Sequence, residues 1–253
     1  MLGLMGLCLS IGGGASGAAE DVDQLKSAAS ETFKVLRYQG NPVRWQRPFE
    51  GGSAEITYRV LTGPQAFADA GNCRGMTAFD GLLAASGIAP STLDSELATA
   101  FAMWGAVTRL TFRKAGTDEP ASIVIGAQAN PIGWAFADVI YDAESPQHIK
   151  PISQALICLN PKRRWKVGFD GNLRVYDLRY TFAHEIGHAI GLDHPKGPGQ
   201  IMDHRYEERF RDLQPGDVMG ATKLYAVPVG PNPTLGSSST ITFACCTGRR
   251  SRR

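Results

Sequence analysis

The run His184-Glu185-Ile186-Gly187-His188-Ala189-Ile190-Gly191-Leu192-Asp193-His194 constrains the fold more than any other stretch. His184 and His188 are four residues apart, so a helix of 3.6 residues per turn projects both imidazoles from one face. Two imidazoles stacked this way can grip one metal ion, and Glu185 can stand beside that ion without binding it. If the helix continued, His194 would lie about 9 Å further along the axis, at about 1.5 Å per residue. Bonds from zinc to nitrogen are only about 2.0–2.1 Å. The chain must therefore leave the helix and turn back. Gly191 is where it can, because glycine accepts the left-handed conformation that ends helices. Pro195 then opposes a resumed helix. Three of the five histidines fall on this one pattern, which argues against core histidines placed there by chance.

Three neutral imidazoles would leave a fourth coordination position open, the mark of a catalytic rather than a structural zinc. Glu185 is placed to act as general base.

The stretch resembles the zinc motif of the metzincin metalloendopeptidases. Together with Gly216-Asp217-Val218-Met219-Gly220 and Leu224-Tyr225, it most resembles the matrixin-like branch. That resemblance implies an α+β fold. A twisted mixed sheet and two long helices would lie above the zinc cleft, and a smaller lower part would carry a C-terminal helix. It also implies one catalytic Zn2+ on His184, His188 and His194, with Glu185 as the catalytic residue. Met202 would be the Met-turn residue beneath the metal. Gly133, Trp134, Ala135 and Phe136 resemble the rim strand on which an extended protein or peptide substrate pairs. Asp203-His204 follows Met202 where the family places a tyrosine, so no tyrosine role carries over. No Pro-Arg-Cys-Gly latency switch occurs in the lead segment. Asn72-Cys73-Arg74-Gly75 is a faint echo that falls inside the catalytic span. Hard oxygen donors at Asp138, Asp142 and Asp170-Gly171-Asn172 would suit calcium, although Asp-Gly-Asn equally suits a turn.

The 253 residues divide into four expected parts. Residues 1–19 carry no charge and end in small residues, which reads as a signal peptide and places the protein outside the cell or in a periplasm. Residues 20–51 read as an N-terminal extension or propeptide, with a helix over Val22–Tyr38. Residues 52–226 form the metallopeptidase domain. Pro, Gly and Ser then dominate 227–253, which reads as a flexible tail. Without the four arginines among the last five residues, the net charge falls from +2 to −2, so nothing suggests nucleic acid. No stable membrane span is expected, and a monomer is. Cys73 and Cys158 read either as a disulfide or as two buried thiols.

Alternating residues over 54–61 predict the first strand. Leu93, Leu97, Phe101, Trp104 and Val107 form a helical stripe over 92–107, with Ser91 or Thr92 as cap and Glu96 close behind. Strands are expected at 109–114, 122–126, 134–141 and 154–160. Helices are expected at 177–192 and from Leu213 or Pro215 to Tyr225. The function these features suggest is hydrolysis of internal peptide bonds by a metal-activated water. The alternative is a zinc-binding interaction module of the same fold without turnover.

Overall fold

The computed structural model describes residues 32–46, 53–116, 119–225 and 238–245. The expected signal peptide lies outside them. In chain order the first strands are β1 (Lys34–Val35), β2 (Arg37–Tyr38), β3 (Asn41–Arg44), β4 (Ala54–Val60), β5 (Gln65–Ala66) and β6 (Gly75–Thr77). Helices α1 (Asp80–Ser86) and α2 (Pro90–Val107) follow, then β7 (Leu110–Lys114), β8 (Ile123–Gln128), β9 (Ala135–Asp142) and β10 (Lys150–Leu159). The short strands β11 (Trp165–Lys166) and β12 (Tyr176–Asp177) lead into α3 (Leu178–Ala189). After it come β13 (Leu192–Asp193), α4 (Pro215–Tyr225) and β14 (Ser238–Cys245).

The main path of the large sheet runs β14-β9-β10-β8-β4-β7. Strands β10, β8, β4 and β7 pair in parallel, and β9 is antiparallel to β10. The composition of β8 explains its central place. Ile123-Val124-Ile125-Gly126-Ala127-Gln128 is buried along its whole length, as expected of a strand covered on both faces. The apolar stripe of α2 buries Leu93, Leu97, Phe101 and Trp104, and the Trp104 indole donates to the Ala183 carbonyl at 2.8 Å. Helix α2 is thereby fastened to α3. Cys73 and Cys158 form a disulfide, which joins the segment before β6 to β10.

Three features differ from the sequence reading. Helix α2 starts two residues earlier, with Ala89 as its cap and Pro90 in the first turn, and no side chain caps it. A proline there has its φ already set and lacks only an N–H that would have no helical partner. Glu96 is no capping residue: it is buried and accepts from Arg179 and Arg211 at 2.8 Å each, tying α2 to α3 and to the loop before α4.

The second difference lies in residues 32–46. The described part of the expected Val22–Tyr38 helix contains short strands, and the segment packs into the domain rather than beside it. Leu36, Val43 and Trp45 are buried. Strand β1 pairs antiparallel with β13, and β3 pairs in parallel with the start of β10. The Trp45 indole donates to the Ala189 carbonyl at 2.9 Å, its N–H to the Tyr225 hydroxyl at 3.2 Å, and the Arg44 guanidinium donates to the Leu224 carbonyl.

The third lies in the stretch read as a tail. Ser238–Cys245 forms β14, antiparallel to β9 over eight residue pairs, from Ser238 opposite Asp142 to Cys245 opposite Ala135.

Candidate metal centre

Helix α3 is positioned from its first residue. Asp177 caps it, accepting from the Tyr180 N–H at 2.9 Å, and its carboxylate also accepts from Arg211 and the Gly168 N–H. All but one of the helical residues Leu178–Ala189 are buried, including His184, Glu185 and His188. A helix buried on nearly every side needs neighbours all round, and α3 packs beside α2 and against β9 and β10.

The helix ends where the sequence requires. Gly191 has φ +102°, and its N–H closes the last turn onto the His188 carbonyl at 2.9 Å. A second constraint acts on it: a Cβ there would lie 2.2 Å from the Val43 carbonyl oxygen. Leu36 donates its N–H to the Gly191 carbonyl at 2.7 Å. The reversal thus depends on the absent side chain of Gly191 and on the N-terminal segment lying against it.

The reversal brings three imidazoles together. The Nε2 atoms of His184, His188 and His194 are 3.1 Å from one another in every pair. A tetrahedral ion with bonds of about 2.0–2.1 Å would hold such atoms about 3.3–3.4 Å apart, so the triangle is the right size. The proton positions fit as well. The Nδ1 of His184 lies 2.7 Å from the Ile201 carbonyl and that of His188 lies 2.9 Å from the Leu192 carbonyl, so each Nδ1–H is the donor. The Nε2 atoms of that pair are then both lone pairs, which repel unless a cation lies between them. Burial also holds the imidazoles neutral: it pushes His184 down to about 3, and His188 and His194 are lowered by the same cause. Among the described residues this is the one group of three or more His, Cys, Asp or Glu arranged to hold a metal ion. Borderline imidazole donors in a three-nitrogen set suit zinc.

Met202 is buried and lies directly against the helix at Gly187, where a Cβ would come within 2.2 Å of the Met202 sulfur. Its position is fixed by a residue whose role the sequence did not disclose. The buried Asp217 carboxylate accepts from the N–H groups of Ile201 at 2.8 Å, Met202 at 3.1 Å and Gln214 at 2.8 Å. One side chain therefore aligns the turn that lies against α3 at Gly187, and through Ile201 the carbonyl that orients His184. The signal in the sequence was its offset of three residues from Gln214, the distance at which an acid reaches back across a helix start.

The four rim residues are less alike than the sequence suggests. Gly133 and Trp134 precede β9, while Ala135 and Phe136 open it. Trp134 stacks on Tyr176 at 3.9 Å and carries the Arg163 guanidinium at 4.8 Å. Ala135 and Phe136 bury their side chains, and their backbone pairs with β10 on one side and β14 on the other. His204 is exposed, with its ring centroid 6.3 Å from that of His194.

The carboxylates considered for calcium have protein partners. Asp138 accepts from the Asn72 and Cys73 N–H groups, Asp142 from that of Glu144, and Asp170 from Lys166 and the Asn172 N–H. Cys73, being in a disulfide, has no thiol to offer a metal.

A sequence profile of the matrixin peptidase family matches residues 82–226, a span that holds α2, the central strands, all three imidazoles and α4. Probable matrix metalloproteinase 095L of Invertebrate iridescent virus 3 is 30% identical over 146 residues, 53% of this chain and 38% of that protein. Metalloendoproteinase 1-MMP of Arabidopsis thaliana is 31% identical over 143 residues, 54% of this chain and 37% of that protein. Matrix metalloproteinase-23 of Bos taurus is 26% identical over 154 residues, 54% of this chain and 38% of that protein. The chain thus spans well under half the length of these curated relatives.

Proposed function

This chain belongs to the matrixin family, and on that premise we propose that it is a zinc-dependent endopeptidase. The observation that carries the reading is the triangle of Nε2 atoms at 3.1 Å, with the Nδ1 atoms of His184 and His188 turned to backbone carbonyls. His184, His188 and His194 would hold the metal. Bound there, Zn2+ supplies a Lewis acid that polarises the scissile carbonyl and lowers the pKa of water.

The chain's own residues do the rest. Glu185, adjacent to the first ligand on the buried face of α3, takes the proton of the attacking water on a carboxylate oxygen and passes it to the leaving amine. The Ile201 and Leu192 carbonyls keep the imidazoles in the tautomer that presents Nε2. Met202 closes the floor of the site and keeps water from its underside. The extended substrate adds its backbone to β9, starting from Ala135 and Phe136.

Export is part of the same reading. It is supported by the uncharged residues 1–19 and by the Cys73–Cys158 disulfide, which persists in oxidising compartments.

The test is cleavage of a denatured protein and of a quenched-fluorescent peptide library by the full chain. Metal content is measured on the same sample. One zinc per chain, loss of cleavage on chelation, recovery on adding zinc, and loss by at least about 100-fold in Glu185→Gln are expected. Cleavage that survives both chelation and the substitution overturns the mechanism. A zinc-loaded chain that cleaves nothing in the library identifies an interaction module instead.

A further inference from the structure

Strand β9 would be the outer edge of the sheet beside α3, were it not for β14. An open edge is a row of unpaired N–H and C=O groups and takes up any extended chain that reaches it. In this chain the edge has an occupant. Strand β14 runs antiparallel along all eight residues of β9, without a register shift, and reaches Ala135 at its C-terminal end.

Its composition suits the task. Ser238-Ser239-Thr240-Ile241-Thr242-Phe243-Ala244-Cys245 contains no charge, no proline and no glycine, and its centre is β-branched and aromatic. Charges and prolines are the usual devices that keep a strand from adding to an edge, and they are absent here. Twelve residues, 226–237, connect it to the last helix, and they contain three prolines and two glycines. Fully extended, such a connection spans about 40 Å. A segment tethered this way faces its edge at an effective concentration of about 1 mM.

We propose that Ser238–Cys245 is an intramolecular cover of the peptide-binding edge. It occupies β9 in place of an extended substrate and lowers the activity of the intact chain. The proposal rests on the endopeptidase reading above and adds its regulation. A substrate must displace a strand already paired to the backbone groups it would use. Loss of β14, by cleavage in the connection or by capture of the segment elsewhere, opens the edge that runs past α3.

The experiment compares the full chain with the full-length double variant Thr240→Pro/Ile241→Pro, both loaded with zinc. Adjacent residues of a strand direct their N–H groups to opposite sides, so two consecutive prolines remove at least one donor to β9. Hydrogen exchange is read at the amides of residues 135–142, with those of β8 and β10 as the control for an intact fold. The expected result is faster exchange, by at least about tenfold, at alternate β9 amides with the control unchanged. On a ten-residue peptide, kcat/KM should rise by about tenfold, chiefly through KM, and a synthetic Ser238–Cys245 peptide should inhibit the variant competitively. Unchanged exchange overturns the proposal, and so does faster exchange with unchanged kcat/KM. If neither protein cleaves peptide, the endopeptidase reading has failed, and anisotropy of a labelled extended peptide decides this one separately. Tighter binding to the variant upholds the cover, and equal binding overturns it.

Discussion

Gly187 and Met202 touch so closely that any side chain at 187 would force a neighbour to move. A Cβ there would meet the Met202 sulfur at 2.2 Å and the Trp104 ring at 2.9 Å. Gly187 lies between the two helical imidazoles, so the contact sets the height of the helix above the turn that contains Ile201 and Met202.

Gly187→Ala should therefore destabilise the domain by about 1–3 kcal/mol through overpacking. It should also weaken zinc binding, because the helix must rise from the Ile201 carbonyl. Met202→Leu conserves volume and should cost less than about 1.5 kcal/mol. Thermal denaturation and competitive zinc titration of both variants provide the check. A Gly187→Ala protein as stable as wild type would show that the contact does not set this spacing.

The Asp217 carboxylate leaves three N–H donors unsatisfied if removed. Asp217→Ala should cost at least about 2 kcal/mol, since the Ile201 and Met202 N–H groups are buried and each buried orphan donor costs about 1–3 kcal/mol. Zinc affinity should fall with it, as the Ile201 carbonyl loses its alignment with His184. Asp217→Asn keeps one carbonyl oxygen and should fall between the two. Equal zinc affinity in all three proteins would separate the turn from the metal site.

Gly191→Ala meets two obstacles at once, φ of +102° and the Val43 carbonyl at 2.2 Å. The expected outcome is release of residues 32–46 and loss of the third ligand's position. Limited proteolysis should then cut near residues 36–44 in the variant and not in the wild type. Resistance of that segment in a folded variant would contradict the tie.

Burial pushes the Glu208 carboxyl up, but Lys166, the Tyr206 hydroxyl and the Gly171 N–H together outweigh it and hold it below its ordinary 4.5. A carboxylate lowered on folding contributes stability that is fully present above the unfolded value and is lost as pH falls through the folded one. The acid limb of the stability curve, below about pH 4.5, should accordingly be shallower in Glu208→Gln than in wild type. Melting temperatures at intervals from pH 7 to pH 3 test this, and parallel curves would exclude the Glu208 contribution.

What the sequence disclosed was local. The spacing of His184, His188 and His194, the stripe of α2 and the continuous apolar run of β8 each express a period or an offset within a few residues. The remainder depended on partners far apart in the chain. Nothing around Trp45 announces that its indole will reach the Ala189 carbonyl, 144 residues on. Glu96 stood where a capping residue could stand, and only the approach of Arg179 and Arg211 gave it another task. Thr240-Ile241-Thr242-Phe243 had the composition of a strand, masked by the prolines, glycines and serines around it.

The hold of Arg44 and Trp45 on Leu224 and Tyr225 has a consequence for biosynthesis. These four residues join the beginning and the end of the domain around the Ala189 end of α3. A chain emerging in order from its N-terminus can assemble the sheet early, yet this closure waits for residue 225. The nascent chain therefore cannot complete the support of its metal-binding turn until nearly the whole domain has been made.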